Sequence, residues 1–278
     1  NPLFGTKLGC AAGCVLKEEG ISKVFIGKDT RISGYMFESA LQAGFISSGM
    51  DVTLLGPLPT PGVSFLANSN NQVGLVISAS HNLFEDNGIK FFNKDGQKFS
   101  AELEKSIESK LTHDMVAVDS INLGKAARMN DAQGRNIEFC KSTFLGLDLT
   151  GLSILLDCAN GASYKSAPEV LWELGADVIS IGVNPDGFNI NKDCGSTNTK
   201  AIKEAVLLNK ADLGICLDGD ADRVILIDEF GVEGDGDQIL AALASRWAAL
   251  GILTGGTLVS TVMSNLGLER YLKSKSVK

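Results

Sequence analysis

The chain has 278 residues, 44% hydrophobic and 21% charged, a balance that excludes a disordered polypeptide. Its 33 acidic and 25 basic residues give a formal net charge of −8, which argues against broad nucleic-acid binding yet allows an anionic small molecule in a locally basic pocket. No apolar run reaches the roughly 18 residues of a membrane span, and Asn1-Pro2-Leu3-Phe4 lacks a signal-peptide layout, so no membrane or secretory role is expected.

Cys10 and Cys14 stand four apart in a helical pattern and share one face. The six cysteines form no C-x-x-C pair and only two histidines accompany them, so small buried apolar residues in a reducing, cytoplasmic compartment are expected rather than a zinc site. A strand is predicted at 24–27, then a helix at 35–48, a strand at 52–55, a helix at 62–68 and strands at 73–77 and 89–92. A charged helix follows at 101–111. After a polar interval around Asp131-Ala132-Gln133-Gly134 the pattern restarts with a strand at 154–157, a helix at 164–174 and a strand at 177–181. A helix at 200–208 and strands at 213–217 and 224–227 complete it. A third unit opens at Gly234-Asp235-Gly236, with a helix at 238–250, a strand near Leu258-Val259 and one more helix. Such alternation implies an α/β fold of successive units with mixed, mostly parallel sheets and helices on their faces. One strand and two helices cannot close a third core, so that unit is read as incomplete.

The sharpest motif is Asp218-Gly219-Asp220-Ala221-Asp222-Arg223, between two predicted strands. Three carboxylates at alternate positions repel one another unless a cation neutralises them, and hard oxygen donors favour Mg²⁺ or Ca²⁺. The competing readings are a solvated acidic turn, an EF-hand and an aspartyl phosphatase loop. Arg223 stands where the EF-hand needs glycine, strands flank the loop, and Asp222 replaces the phosphatase threonine. Ser78-Ala79-Ser80-His81-Asn82 lies at the carboxyl end of an apolar strand, where open α/β sheets gather ligands; Ser80 is a candidate nucleophile there, or part of a polar loop. Asn87-Gly88 predicts a tight hairpin that returns Lys90 towards Ser80, where a lysine could hold phosphate or merely face solvent. Lys28-Asp29-Thr30-Arg31 reads equally as a phosphate contact or a charged turn. Asn184–Asn191 with Cys194-Gly195-Ser196-Thr197 forms a long polar loop, an ordered wall or plain surface.

Taken together, residues 77–82, 86–92, 194–197 and 218–223 resemble the α-D-phosphohexomutases in order and spacing, most closely the bacterial branch acting on glucosamine phosphates. The resemblance implies a four-domain enzyme with three-layer α/β domains, here a phosphoserine-loop domain at 1–131, a metal-binding domain at 132–232 and the start of a sugar-binding domain at 233–278, with the fourth absent. It implies that Ser80 carries a phosphoryl group passed to and from a phosphorylated amino sugar, through a bisphosphorylated sugar. It further implies that Asp218, Asp220, Asp222 and an oxygen on Ser80 hold one Mg²⁺, and that His81, Lys90 and Arg223 serve proton transfer and charge stabilisation. Relatives acting on glucose or mannose phosphates, and a non-catalytic sugar-phosphate or metal-binding module, are the alternatives; a homodimer is a possible assembly. Two departures stand out. Leu83 replaces the family's proline after His-Asn, which is expected to loosen the serine loop, and the family's N-terminal pattern skips between Thr6 and Lys7, as if segments of a longer protein were omitted.

Overall fold

The computed structural model describes residues 1–144, 146 and 148–278. The chain opens with α1 (Pro2–Glu18), β1 (Lys23–Lys28), α2 (Ile32–Ser47), β2 (Asp51–Pro57), α3 (Thr60–Ser69), β3 (Val73–Ile77), β4 (Ile89–Phe92), α4 (Ala101–Leu111) and β5 (Ala126–Arg128). These strands form one sheet in the order β4-β3-β1-β2-β5, parallel except for β4 at its edge. The central strands β1 and β3 are buried almost throughout, as expected where helices cover both faces. Asn1 caps α1 by accepting from the Phe4 amide at 2.9 Å, and Pro2 occupies the first turn, where its missing N–H costs nothing. Small residues then let α1 lie against α2: a Cβ on Gly9 would sit 2.5 Å from the Leu41 carbonyl oxygen. The core beneath them gathers Leu8, Leu16, Val24, Ile26, Leu41, Phe45 and Leu75.

The second sheet follows through α5 (Ala132–Ser142), β6 (Ser153–Asp157), α6 (Ser166–Glu173), β7 (Asp177–Ile181), α7 (Lys200–Asn209), β8 (Leu213–Leu217), β9 (Val224–Asp228) and β10 (Glu233–Gly234). Its order is β10-β9-β8-β6-β7, with β7, β6 and β8 parallel and β9 and β10 antiparallel. Helices α8 (Gly236–Ala249) and α9 (Leu266–Ser274) complete the described chain, and α8 begins with a capping box between Asp235 and Gln238.

The polar interval around Asp131 opens directly into α5, which packs against both α3 and α6; the Phe65 and Phe139 rings stack with centroids 3.9 Å apart. Two local expectations are corrected. Leu258-Val259 forms no strand. The Leu258 amide bonds the Lys278 carbonyl, Val259 is 88% exposed, and no described strand lies alongside to complete a ladder. Asn87-Gly88 is no two-residue hairpin either, since neither residue adopts positive φ. Eleven residues join β3 to β4, and Gly88 is needed because a Cβ there would lie 2.8 Å from the Ser78 carbonyl oxygen. The expected return still occurs, because antiparallel pairing sets Val76 opposite Lys90.

Candidate active site

The carboxyl ends of the two sheets face each other. From the first come the Lys28–Arg31 turn after β1, the Ser78–Gly88 loop after β3 and the N-terminus of α3; from the second comes the acidic loop between β8 and β9. Backbone bonds join them directly, with the Thr60 amide donating to the Asp220 carbonyl at 2.9 Å.

Ser80 sits at this junction with φ +52°, an uncommon conformation for a residue with a side chain. Its hydroxyl donates to Asp218 Oδ2 at 2.6 Å and lies 3.5 Å from Asp222 Oδ1. Asp218 turns its other oxygen to the amides of Asp222 and Arg223, both at 3.1 Å, which curls the acidic loop around its own first carboxylate. Asp220 Oδ2 accepts from Lys90 Nζ at 2.7 Å and from the Thr60 hydroxyl. Lys90 also reaches Asp222 Oδ2 at 3.4 Å.

Electrostatics separate these groups. Burial pushes the Asp218 carboxyl above its ordinary range, and the charges of Asp220 and Asp222 push the same way against the Ser80 hydrogen bond. Burial acts on Asp220 too, but the Lys90 ammonium and the Thr60 hydroxyl outweigh it and hold this carboxyl low. Lys90 loses hydration, yet its bonds to Asp220 and Asp222 raise it above the ordinary lysine value, so it is an ammonium at neutral pH.

The acidic loop fits a hard divalent cation. Asp218, Asp220 and Asp222 each offer an oxygen within 4.8 Å of the others, and Asp220 Oδ1 is buried with no hydrogen-bond partner. A buried carboxylate oxygen left bare is costly, and an all-oxygen donor set suits Mg²⁺ or Ca²⁺.

Ser80, Lys90 and the three aspartates are thus brought together. His81 is half-buried beside them in sequence, but its Nδ1 is buried and finds no partner among the described residues. Arg223 is exposed, with Nε 3.9 Å from Asp222 Oδ1; its backbone amide makes the closer contribution. The Lys28–Arg31 turn is no phosphate contact. Lys28 is buried in a 2.7 Å pair with Glu38, and Arg31 is wholly enclosed, spent on Asp29 and on carbonyls of the serine loop. Leu83 stands in the same loop, and its carbonyl accepts from Arg31. Thr60 was missed by sequence reasoning; Arg31 was read there only within a phosphate-contact or charged turn, and Asn191 only within an Asn-rich polar loop.

Residues 1–116 match phosphoglucomutase/phosphomannomutase α/β/α domain I, residues 140–231 match domain II, and residues 235–278 match domain III. The chain belongs to the phosphoglucomutase/phosphomannomutase family. Within this family, it is 57% identical over 276 residues to the phosphoglucosamine mutase of Cereibacter sphaeroides, covering 98% of this chain and 62% of that one. The phosphoglucosamine mutase of Legionella pneumophila is 56% identical over 279 residues, 100% of this chain and 61% of that one. The chain therefore spans about three-fifths of the length of these curated relatives. A solved phosphoglucomutase/phosphomannomutase family protein from Burkholderia thailandensis shares the fold, with a TM-score of 0.84 at 20% identity over 99% of this chain and 61% of that one. Among the described residues no helix is long and apolar enough to cross a membrane.

Proposed function

We propose that this family member carries the phosphoserine and metal-binding parts of a phosphoglucosamine mutase, which interconverts glucosamine 6-phosphate and glucosamine 1-phosphate. The observation that carries this reading is the Ser80 hydroxyl held 2.6 Å from Asp218 at the mouth of a three-aspartate loop, in a chain 57% identical to curated phosphoglucosamine mutases. Residues 1–131 would present the serine, residues 132–232 the metal loop, and residues 233–278 the start of the sugar-binding domain, a division close to the three family matches.

In this reading Ser80 carries a phosphoryl group. A sugar hydroxyl attacks phosphorus, the bond to Ser80 Oγ breaks and a bisphosphorylated sugar forms. After that sugar reorients, Ser80 Oγ attacks its other phosphate and recovers a phosphoryl group. Asp218, Asp220 and Asp222, with an oxygen on Ser80, would hold Mg²⁺, which neutralises charge on the transferring group. The Lys90 ammonium adds positive charge beside Asp220 and Asp222, a geometry that supports charge stabilisation of the transferring group. His81, with an unpartnered Nδ1, is the proposed proton carrier, and Arg223 is free at the surface to meet anionic substrate. A cytoplasmic location and a possible homodimeric assembly are carried with the proposal.

Coupled assays on the full-length protein with glucosamine, glucose and mannose 6-phosphates test the reading. Preference for the amino sugar is expected, whereas preference for glucose or mannose would move the chain to another branch of the family. Ser80→Ala is expected to abolish turnover and phosphate incorporation while keeping the melting temperature; wild-type turnover in that variant would remove Ser80 from the mechanism. Metal binding without turnover on any of the three sugars would favour a non-catalytic module.

A further inference from the structure

Two side chains grip the serine loop although no step of the chemistry above uses them. Arg31 is completely buried, and its Nε pairs with Asp29 Oδ2 at 2.7 Å. Its Nη2 donates to the carbonyls of Ser80 at 2.9 Å and Asn82 at 2.8 Å. Asn191 arrives from the second unit, between β7 and α7, and its Nδ2 donates to the same two carbonyls at 2.8 and 2.9 Å. Each carbonyl therefore accepts from both residues. The amide cannot be reversed, since its oxygen would then face two acceptors.

Three further contacts show how tightly this grip is set. The Ser80 amide donates to Ser78 Oγ at 2.9 Å, and that hydroxyl donates to Asp29 at 2.7 Å, so both sides of the Ser80 backbone are held. A Cβ on Gly219 would lie 2.7 Å from both the Ser80 carbonyl oxygen and Asn191 Nδ2, which places the gripped peptide directly on the acidic loop. Ser80 has φ +52°, a conformation that needs its surroundings to enforce it.

We propose that Arg31 and Asn191 are positioning residues that lock the Ser80 peptide in its left-handed conformation and so aim Oγ at Asp218. Because Asn191 belongs to the second unit, it makes the serine competent only when the two units are docked. The kinetic part of this inference rests on the mutase reading; the conformational part does not.

The test uses Asn191→Gly and Asn191→Asp in the full-length protein. Glycine accepts the φ of +58° at this position, and aspartate keeps the shape while facing both carbonyls with acceptors. Both variants are expected to lose about 100-fold in kcat with KM within about threefold of wild type, the signature of a misplaced nucleophile. Backbone amides of residues 78–88 exchange at least about tenfold faster, with protection elsewhere unchanged. A kcat within about threefold of wild type in both variants, or unchanged exchange over 78–88, overturns the proposal. So does loss of protection throughout the chain, which would make Asn191 a general folding residue. If wild-type protein shows no mutase turnover, the functional reading fails and the exchange measurement alone decides the conformational lock.

Discussion

Replacing Lys90 by methionine removes the one ammonium that, among the described residues, is bonded to the aspartate cluster, while retaining a flexible apolar stem. The Lys90–Asp220 pair is 2.7 Å long, with the lysine side chain 24% exposed and the aspartate 1% exposed. At about 4 Å and an effective dielectric of about 20, such charges attract by about 4 kcal/mol, and removing one partner of a fully buried pair costs about 3–5 kcal/mol. Water can partly replace this lysine, so about 2–3 kcal/mol is expected for Lys90→Met without divalent cations. At about 2–4 °C per kcal/mol, that lowers the melting temperature by roughly 4–12 °C. Circular dichroism melts in chelator and in saturating Mg²⁺ read the effect. Cation binding supplies the missing positive charge and stabilises only the folded loop, so the deficit is expected to shrink below about 1 kcal/mol with Mg²⁺. A variant that melts with the wild type in chelator, or a deficit indifferent to Mg²⁺, would refute the electrostatic account.

Two other outcomes follow from the same geometry. Thr60→Val deletes the hydroxyl bonded to Asp220 but keeps the backbone bond between those residues; losing a hydrogen bond to a buried carboxylate is expected to cost about 1.5–3 kcal/mol in chelator, measurable by denaturant titration. Cys158, Cys194 and Cys216 have thiols pushed up to about 12, chiefly by burial. At pH 8 only about one in ten thousand of each is thiolate, so native protein is expected to resist alkylation there; rapid labelling of Cys216 found by peptide mass spectrometry would contradict that burial.

The central strands were legible because parallel strands covered on both faces read as continuous apolar runs, as Val73–Ile77 does. The acidic loop was legible because three alternating carboxylates are hard to explain without a cation. Arg31 was not, since a charged residue after a strand reads as solvent-facing until its carbonyl partners, 49 to 55 residues away, are placed. Asn191 lay further still, 111 residues from Ser80, and nothing local marks an amide that serves a distant loop. Helix α5 was hidden by its polar N-terminal residues, whereas its apolar side is made by Ile137 and the stack of Phe139 on Phe65. At Leu258-Val259 β-branched character suggested a strand, but strands exist only in pairs, and the pairing partner decides.

The long separation within the site bears on how the protein is made. Ser80 and Asp222 lie 142 residues apart, and at ribosomal rates of about 5–20 residues per second the serine loop leaves the exit tunnel roughly 7–28 s before the last aspartate. During that interval the nascent chain carries the hydroxyl without its carboxylates or the Asn191 amide. The contact between the Ser80 hydroxyl and Asp218 therefore forms only in chains whose second sheet has already been synthesised and docked.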